Sequence, residues 1–397
     1  MRRAGVPSAP GRGTAGVETG RLLGLSWAHL LNDGAGNYLP GVLPAVLASL
    51  HEPVQMAGVL VAALTIGQTL QPVVGWVADR LGGRSLAVAG LFLSSLGGGL
   101  IGEAHSAPAL IGLLLVIGIG SAFFHPQTLA GVRSLLRDNE GFLTAVFLVG
   151  GEVGRGIWPT VASLVVANLG LQSLWIVGLP GLATVPLLWR LAPKLAPKAR
   201  DQVRIRWRPK AAPVALLVSY RCVRAFTTYT LVTFIPILWN LKGGSLVGGA
   251  SVITTILIVG VVGNLWGGHL ADRLGRRPVL VAAAVATAGF VFPVAYLSAP
   301  WVWVAAAPLG VAMFLSTSTT VLIGQDIFPE NRSMGSGIAL GLANGIGALL
   351  VLVVGFWVSG ASVIVVFWVV AALSLGSALA PLGLPDQLLH VRSRGPC

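Results

Sequence analysis

The sequence predicts an all-α membrane protein with twelve transmembrane helices in two pseudo-symmetric six-helix bundles. Three observations predict it. Of 397 residues, 55% are hydrophobic, 10% are charged and a further 53 are glycine, and mean hydropathy is +0.83. A soluble domain holds about 45–50% apolar residues with glycine included. Polar or Gly/Pro punctuation cuts the chain into twelve apolar runs, and a helix needs about 20 such residues to cross a bilayer. The string WVADRLGGRS at 76–85 returns as HLADRLGRRP at 269–278, which places Asp79 and Asp272 193 residues apart.

Residues 1–20 are rich in Gly, Pro and Ala with scattered Arg and have no apolar core. They read as a disordered tail, neither signal peptide nor span. The first bundle covers 21–191, with spans at 22–50, 54–78, 85–102, 107–132, 141–168 and 171–191. A basic linker follows at 192–211. The second bundle covers 212–384, with spans at 212–239, 245–271, 278–298, 301–324, 335–358 and 361–383, and a second tail occupies 385–397. No water is available to the backbone inside a bilayer, so each span is helical. The longer spans tilt or protrude.

Lys and Arg orient the spans. The termini and the links after even-numbered spans hold 22 of the 26 basic residues, and the opposite links hold Lys242 alone. The other three, Arg155, Arg221 and Arg224, lie within spans. This asymmetry places both termini in the cytoplasm of a multi-pass protein of the cell membrane, expected to be a monomer. The linker 192–211 carries seven basic residues against one acid. Beside a membrane, such a strip is an anchor near anionic lipid rather than a nucleic-acid site. Cys222 lies in an apolar run and Cys397 ends the chain, so no disulfide framework is readable.

The 193-residue shift also brings Gly154 onto Gly347 and Gly151 onto Asn344, so the chain is an internal duplication. Parallel repeats about an axis along the membrane normal place a substrate site between them, near the midplane. Glycine-rich GGEVGRG in span 5 and GLANGIG in span 11 allow close helix approach.

The string GxxxDRxGxR after spans 2 and 8 resembles the cytoplasmic signature of the major facilitator superfamily. Its residues are Gly75, Asp79, Arg80, Gly82 and Arg84, then Gly268, Asp272, Arg273, Gly275 and Arg276. The resemblance implies a latch between the bundles, with Asp79 facing span 11 near Gly335 and Asp272 facing span 5 near Gly141. The first copy departs from the pattern at Gly83, where a base is usual. Within the superfamily, AHLLNDGAGNYLPGVLPAVL at 28–47, GSAFFHPQTLAGV at 120–132 and VFLVGGEVGRGIWPTV at 146–161 are similar to the fosmidomycin-resistance branch. That likeness covers residues 25–165 and implies proton-coupled export of small molecules, an anionic phosphonate antibiotic among them. Glu152 and Arg155 depart from the branch, where an amide and a small residue are usual.

Asp33, Glu152, Arg155, Arg221 and Arg224 fall at membrane depth. A charge at a span centre costs about 2.5–3.5 kcal/mol on insertion scales, so these residues pair or line a wet cavity. His29 and Asp33 are four apart on one helical face and can carry a proton, as can His125 and Glu152. The His-x-x-x-Asp spacing also suits a metal, but no third ligand is apparent, so neither metal nor cofactor is expected. Glu152 and Arg155, three apart, can pair. Arg155, Arg221 and Arg224 are candidate anion ligands, arginine being suited to carboxylate and phosphate. Asn32, Asn37, Tyr38, Thr228, Tyr229 and Asn264 complete the expected substrate site.

The leading reading is a secondary transporter that exports a small, anionic organic compound or drug in exchange for protons. An importer or proton symporter of organic anions stays open on the same fold. An enzyme would need a nucleophile or metal set, and no phosphate-binding loop supports a primary pump. A receptor that moves no substrate is the remaining class.

Overall fold

The computed structural model describes residues 12–71, 73–74, 84–135, 140–194, 206–330 and 332–389. All secondary structure among them is helical, and the helices follow the twelve expected spans. Span 1 consists of Arg12–Asn37 and Leu39–Ser49, and span 2 begins with Met56–Gln68. Spans 3 to 6 are Arg84–Leu100, Ala107–Leu135, Glu140–Leu169 and Trp175–Leu191. Spans 7 to 9 are Ala211–Leu241, Leu246–Leu274 and Arg276–Tyr296. Span 10 is split into Trp301–Phe314 and Thr317–Ile327. Span 11 joins Arg332–Gly337 to Ala343–Trp357 through a π turn at Ile338–Leu342, and span 12 is Val363–Ser377.

Most boundaries shift by a few residues, and the largest shift is at the start. The first helix starts at Arg12 and so includes the second half of the expected tail. Once an apolar span has nucleated a helix, each added residue costs little.

Among the described residues, eight helical segments are long and apolar enough to cross a bilayer alone, and none of them falls in spans 1, 2, 5 or 11. Spans 1 and 5 are diluted by His29, Asn32, Asp33, Glu152 and Arg155. Span 1 also breaks at Tyr38. Pro40 supplies no amide hydrogen and its ring crowds the carbonyl four residues earlier. In span 10 the break falls at the start of Ser316–Thr320, where short hydroxyl side chains compete for backbone groups; Thr320 Oγ1 donates to Thr317 O at 2.9 Å. Large apolar side chains cover the outside: Trp357 is 84% and Phe356 64% exposed, which suits lipid and not water.

The duplication is visible in the packing. A Cβ on Gly154 would meet the Leu30 carbonyl oxygen of span 1 at 2.1 Å, and one on Gly347 would meet the Phe226 nitrogen of span 7 at 2.8 Å. The repeat-related pairs 5 with 8 and 2 with 11 also join the two halves. Thr160 and Thr254 share a 2.7 Å hydrogen bond, and a Cβ on Gly58 would meet the Val351 carbonyl oxygen at 3.0 Å.

The buried apolar side chains show which end is closed. One cluster runs through both halves, from Tyr38, Val42 and Leu60 to Phe234, Ile253 and Val351. It lies toward the end away from the chain termini. At the other end there are two separate clusters. One holds Leu22, Leu25, Phe124 and Val132 of the first half; the other holds Leu217, Tyr220, Leu280 and Ile323 of the second. Among the described residues, the bundles therefore share a core at one end and part at the end bearing the basic links.

Candidate functional site

The parting of the bundles begins where span 1 carries its polar turn. His29, Asn32 and Asp33 are all buried there, and helical spacing sets His29 and Asp33 on one face. Asp33 Oδ2 lies 3.4 Å from His29 Nε2 and 3.4 Å from Arg155 Nε of span 5. Asp33 Oδ1 lies 2.9 Å from His125 Nε2 of span 4 and accepts from Asn32 Nδ2 at 3.1 Å. Arg155 also holds Glu152 Oε1 at 2.7 Å. The two pairs within helices match expectation. The joining of His125 and Arg155 to Asp33 is a tertiary contact that spacing along the chain does not reveal.

Both imidazoles are oriented from behind. His29 Nδ1 faces the Phe147 carbonyl at 2.9 Å, and His125 Nδ1 faces the Ser121 carbonyl at 2.8 Å. A carbonyl only accepts, so each Nδ1 carries the hydrogen and donates. Each Nε2 is then a lone pair when its ring is neutral, and both point at one carboxylate. The 2.9 Å contact of His125 Nε2 with Asp33 Oδ1 needs a hydrogen between the two atoms. Phe147 stacks on His29 with ring centroids 4.3 Å apart. On its other side a Cβ at Gly151 would lie 2.4 Å from His29 Nε2, so this position of the ring requires glycine. Phe147, Ser121 and Gly151 have no mark in the sequence that assigns them these contacts.

The cluster opens to the space between the bundles through Arg155, whose side chain is 41% exposed, and through His125, at 26%, while Asp33 is 4% exposed. From the second half, half-buried Tyr229 lies within electrostatic reach of both Arg155 and Arg221. Arg221 spends its Nε on the Ala339 carbonyl of the span 11 π turn at 3.0 Å, and its two terminal nitrogens make no hydrogen bond to a described residue.

Four expected ligands are turned elsewhere. Arg224 is buried and donates to Thr287 Oγ1 at 2.9 Å and to the Ala312 and Met313 carbonyls at 2.8 and 2.5 Å. Those carbonyls end the first half of broken span 10, where the helix dipole favours a cation. Arg224 is therefore a cap for an interrupted helix, its charge drawn to backbone acceptors that the sequence could not disclose. Tyr38 is fully buried and donates to the Gly98 carbonyl at 2.5 Å. Thr228 bonds its own helix at Arg224 O. Asn264 accepts from the Ser318 amide at 3.2 Å, tying span 8 to the break in span 10. Asn37 is half-buried beside the cluster, with its amide on Asp33 O at 2.9 Å.

In the repeated signature, Gly75, Asp79, Arg80 and Gly82 lie outside the described residues. Arg84 stacks over Trp189, 4.3 Å from the ring centroid. Gly275 takes a φ of +87° between spans 8 and 9, a conformation that favours glycine. Asp272 and Arg273 are exposed, and neither forms an ion pair with a described residue. Arg276 instead pairs within its own half, with Asp326 Oδ2 at 2.6 Å and the Leu388 carbonyl at 2.8 Å. Asp326, at the end of span 10, has no mark in the sequence that assigns it this contact.

Comparison with known proteins agrees with this architecture. A family model described as Major Facilitator Superfamily matches residues 25–352. An uncharacterised MFS-type transporter of Bacillus subtilis, YfnC, is 27% identical over 93% of this chain and 94% of its own. The fosmidomycin resistance protein of Escherichia coli is 26% identical over 93% of each. Among solved structures, the nucleoside transporter NupG aligns with a TM-score of 0.73 at 16% identity, covering 92% of this chain and 99% of that one. An inward-facing bacterial homologue of the human lysosomal transporter Spinster aligns at 0.71 and 16%, covering 95% and 99%.

Proposed function

Because the chain belongs to the Major Facilitator Superfamily, we propose that it exports a small, anionic organic compound across the cell membrane in exchange for protons. Both termini face the cytoplasm in this reading, which rests on the basic links. The observation that carries the proposal is the burial of Asp33 between two imidazoles and one guanidinium, at the mouth of the space between the bundles. A carboxylate at that depth is costly unless it works as part of an ion or substrate path. The cluster holds the proton, and the ionised form of Asp33 is held by Arg155.

Exchange requires that substrate and proton exclude one another. Arg221, whose terminal nitrogens have no hydrogen-bond partner among the described residues, takes the anionic group from the second half. A hydrogen-bond donor on the same molecule then reaches the carboxylates of the first half, Glu152 and Asp33, and favours their ionised forms. Bound substrate so expels the proton, and a bound proton repels the substrate's donor. Rocking of the two bundles about the shared site carries one or the other across. The names of the relatives, fosmidomycin resistance and multidrug efflux proteins, support export.

A second reading is favoured by the exposure of Arg155. If the substrate's anion took Arg155 away from Asp33, the stranded carboxylate would gain a proton on binding, and anion and proton would travel together. Fosmidomycin, a phosphonate, is a suitable probe for both. In proteoliposomes loaded with a pH-sensitive dye, an outward fosmidomycin gradient should drive protons inward under exchange and outward under cotransport. Absence of any proton movement during fosmidomycin flux would refute both. Arg221→Gln should weaken fosmidomycin binding about 10–100-fold, the value of one charge-assisted hydrogen bond, and should cost about 1–3 kcal/mol of stability through the unpaired Ala339 carbonyl. Equal affinity in the variant would remove Arg221 from the site.

A further inference from the structure

We propose that His29, Asp33 and His125 also form a binding site for a late first-row divalent cation, with Zn2+ as its representative. The inference uses side chains assigned above to the proton, but neither assignment requires the other. Its basis is the direction of the donor atoms. Two imidazole Nε2 atoms and a carboxylate oxygen converge from spans 1 and 4, all within 4.8 Å of one another. His125 Nε2 lies 2.9 Å from Asp33 Oδ1 and His29 Nε2 lies 3.4 Å from Oδ2. Zn2+ binds nitrogen and oxygen at about 2.0–2.2 Å, and two such ligands of a tetrahedron stand about 3.3 Å apart. His125 and Asp33 need to part by about 0.4 Å, and donor atoms that stand up to 4.8 Å apart need to approach, to fill three positions of that tetrahedron.

The outer contacts are those of a metal site. A metal-bound histidine donates its other ring N–H to a carbonyl or carboxylate, which fixes tautomer and ring orientation. His29 does so to Phe147 and His125 to Ser121, leaving both lone pairs aimed inward. Imidazole suits Zn2+ and its neighbours in the series. Magnesium and calcium demand oxygen ligands, and this site offers one carboxylate. Three protein ligands leave a fourth position for water, and His125, one-quarter exposed, lies on the open side facing the cavity.

Arg155 opposes the ion, since its Nε lies 3.4 Å from Asp33 Oδ2. It has a second partner in Glu152 at 2.7 Å and an exposed side chain with room to move. Asp33 can also ligate through Oδ1 alone and keep Oδ2 for the guanidinium. The bound ion would occupy the place of the bridging proton and so block the site.

Calorimetric titration of the purified full-length protein in detergent with Zn2+ should give one ion per chain, unaffected by excess Mg2+. Co2+ in its place should show the visible bands of a four-coordinate ion. Loss of even an outer-shell partner costs about 10–100-fold in metal affinity, so His125→Gln and Asp33→Asn should each cost about 100-fold or more. A protein with His51, His105, His269, His390 and Cys397 all replaced should bind as the parent does. Binding retained in His125→Gln and Asp33→Asn, or lost in the protein lacking the other five groups, overturns the proposal. So does absence of binding by a wild-type protein whose thermal unfolding shows it folded. No substrate or pH gradient enters the titration, so its failure leaves the transport reading standing, and the reverse also holds.

Discussion

Asp33→Asn should reduce proton-driven flux to the level of empty liposomes while leaving exchange of labelled for unlabelled substrate in place. Asparagine keeps the shape of the side chain and one acceptor for His125 at the 2.9 Å contact. It also removes the negative charge that Arg155 faces at 3.4 Å. What it cannot do is gain and lose a proton. Coupling is thus lost at its source, whereas the path for substrate and the glycine contacts between bundles are untouched. Arg155 keeps Glu152 at 2.7 Å and is not left as an unpaired buried charge, so the variant should remain folded. Undiminished proton-driven flux in a folded Asp33→Asn protein would remove Asp33 from the coupling step.

Arg224→Met should have the largest effect on stability. The arginine's donors reach Thr287 and the carbonyls of Ala312 and Met313 inside the second bundle. Methionine fills the volume but leaves the last turn of Trp301–Phe314 without its cation and its carbonyls without donors. Each unpaired buried acceptor costs about 1–3 kcal/mol, so a loss of about 3 kcal/mol or more is expected. Thermal unfolding in detergent reads it as a large fall in midpoint. Phosphonate affinity in whatever protein remains folded should match the parent, which separates a helix cap from a substrate ligand. A variant of normal stability with weakened anion binding would restore Arg224 to the cavity.

Periodicity and repetition explain which parts of this architecture the sequence discloses. Long apolar runs must be helices in a membrane, and a shift that superimposes Gly154 on Gly347 marks two contacts of the same kind, span 5 on span 1 and span 11 on span 7. Pairs on one helix, His29 with Asp33 and Glu152 with Arg155, follow from helical spacing. Contacts between helices do not. The sequence says that a charge such as Arg224 must be satisfied, but the acceptors that satisfy it exist because span 10 breaks, and Ser316–Thr320 reads as well as an unbroken helix that bonds its own backbone. Tyr38 beside Pro40 is similar: the proline signals a break, while the direction of the phenol, toward Gly98, depends on how span 3 packs. The third member of the His29–Asp33 pair, His125, lies 92 residues after Asp33 in the chain, and no local pattern joins them.

The sign of the proton change on substrate binding decides whether Asp33 exchanges its proton for substrate. Purified protein in weakly buffered detergent would be mixed with the phosphonate probe while pH is followed. Acidification that saturates with binding and is absent from Asp33→Asn is the expected result. Alkalinisation on binding, or equal acidification by Asp33→Asn, would contradict it.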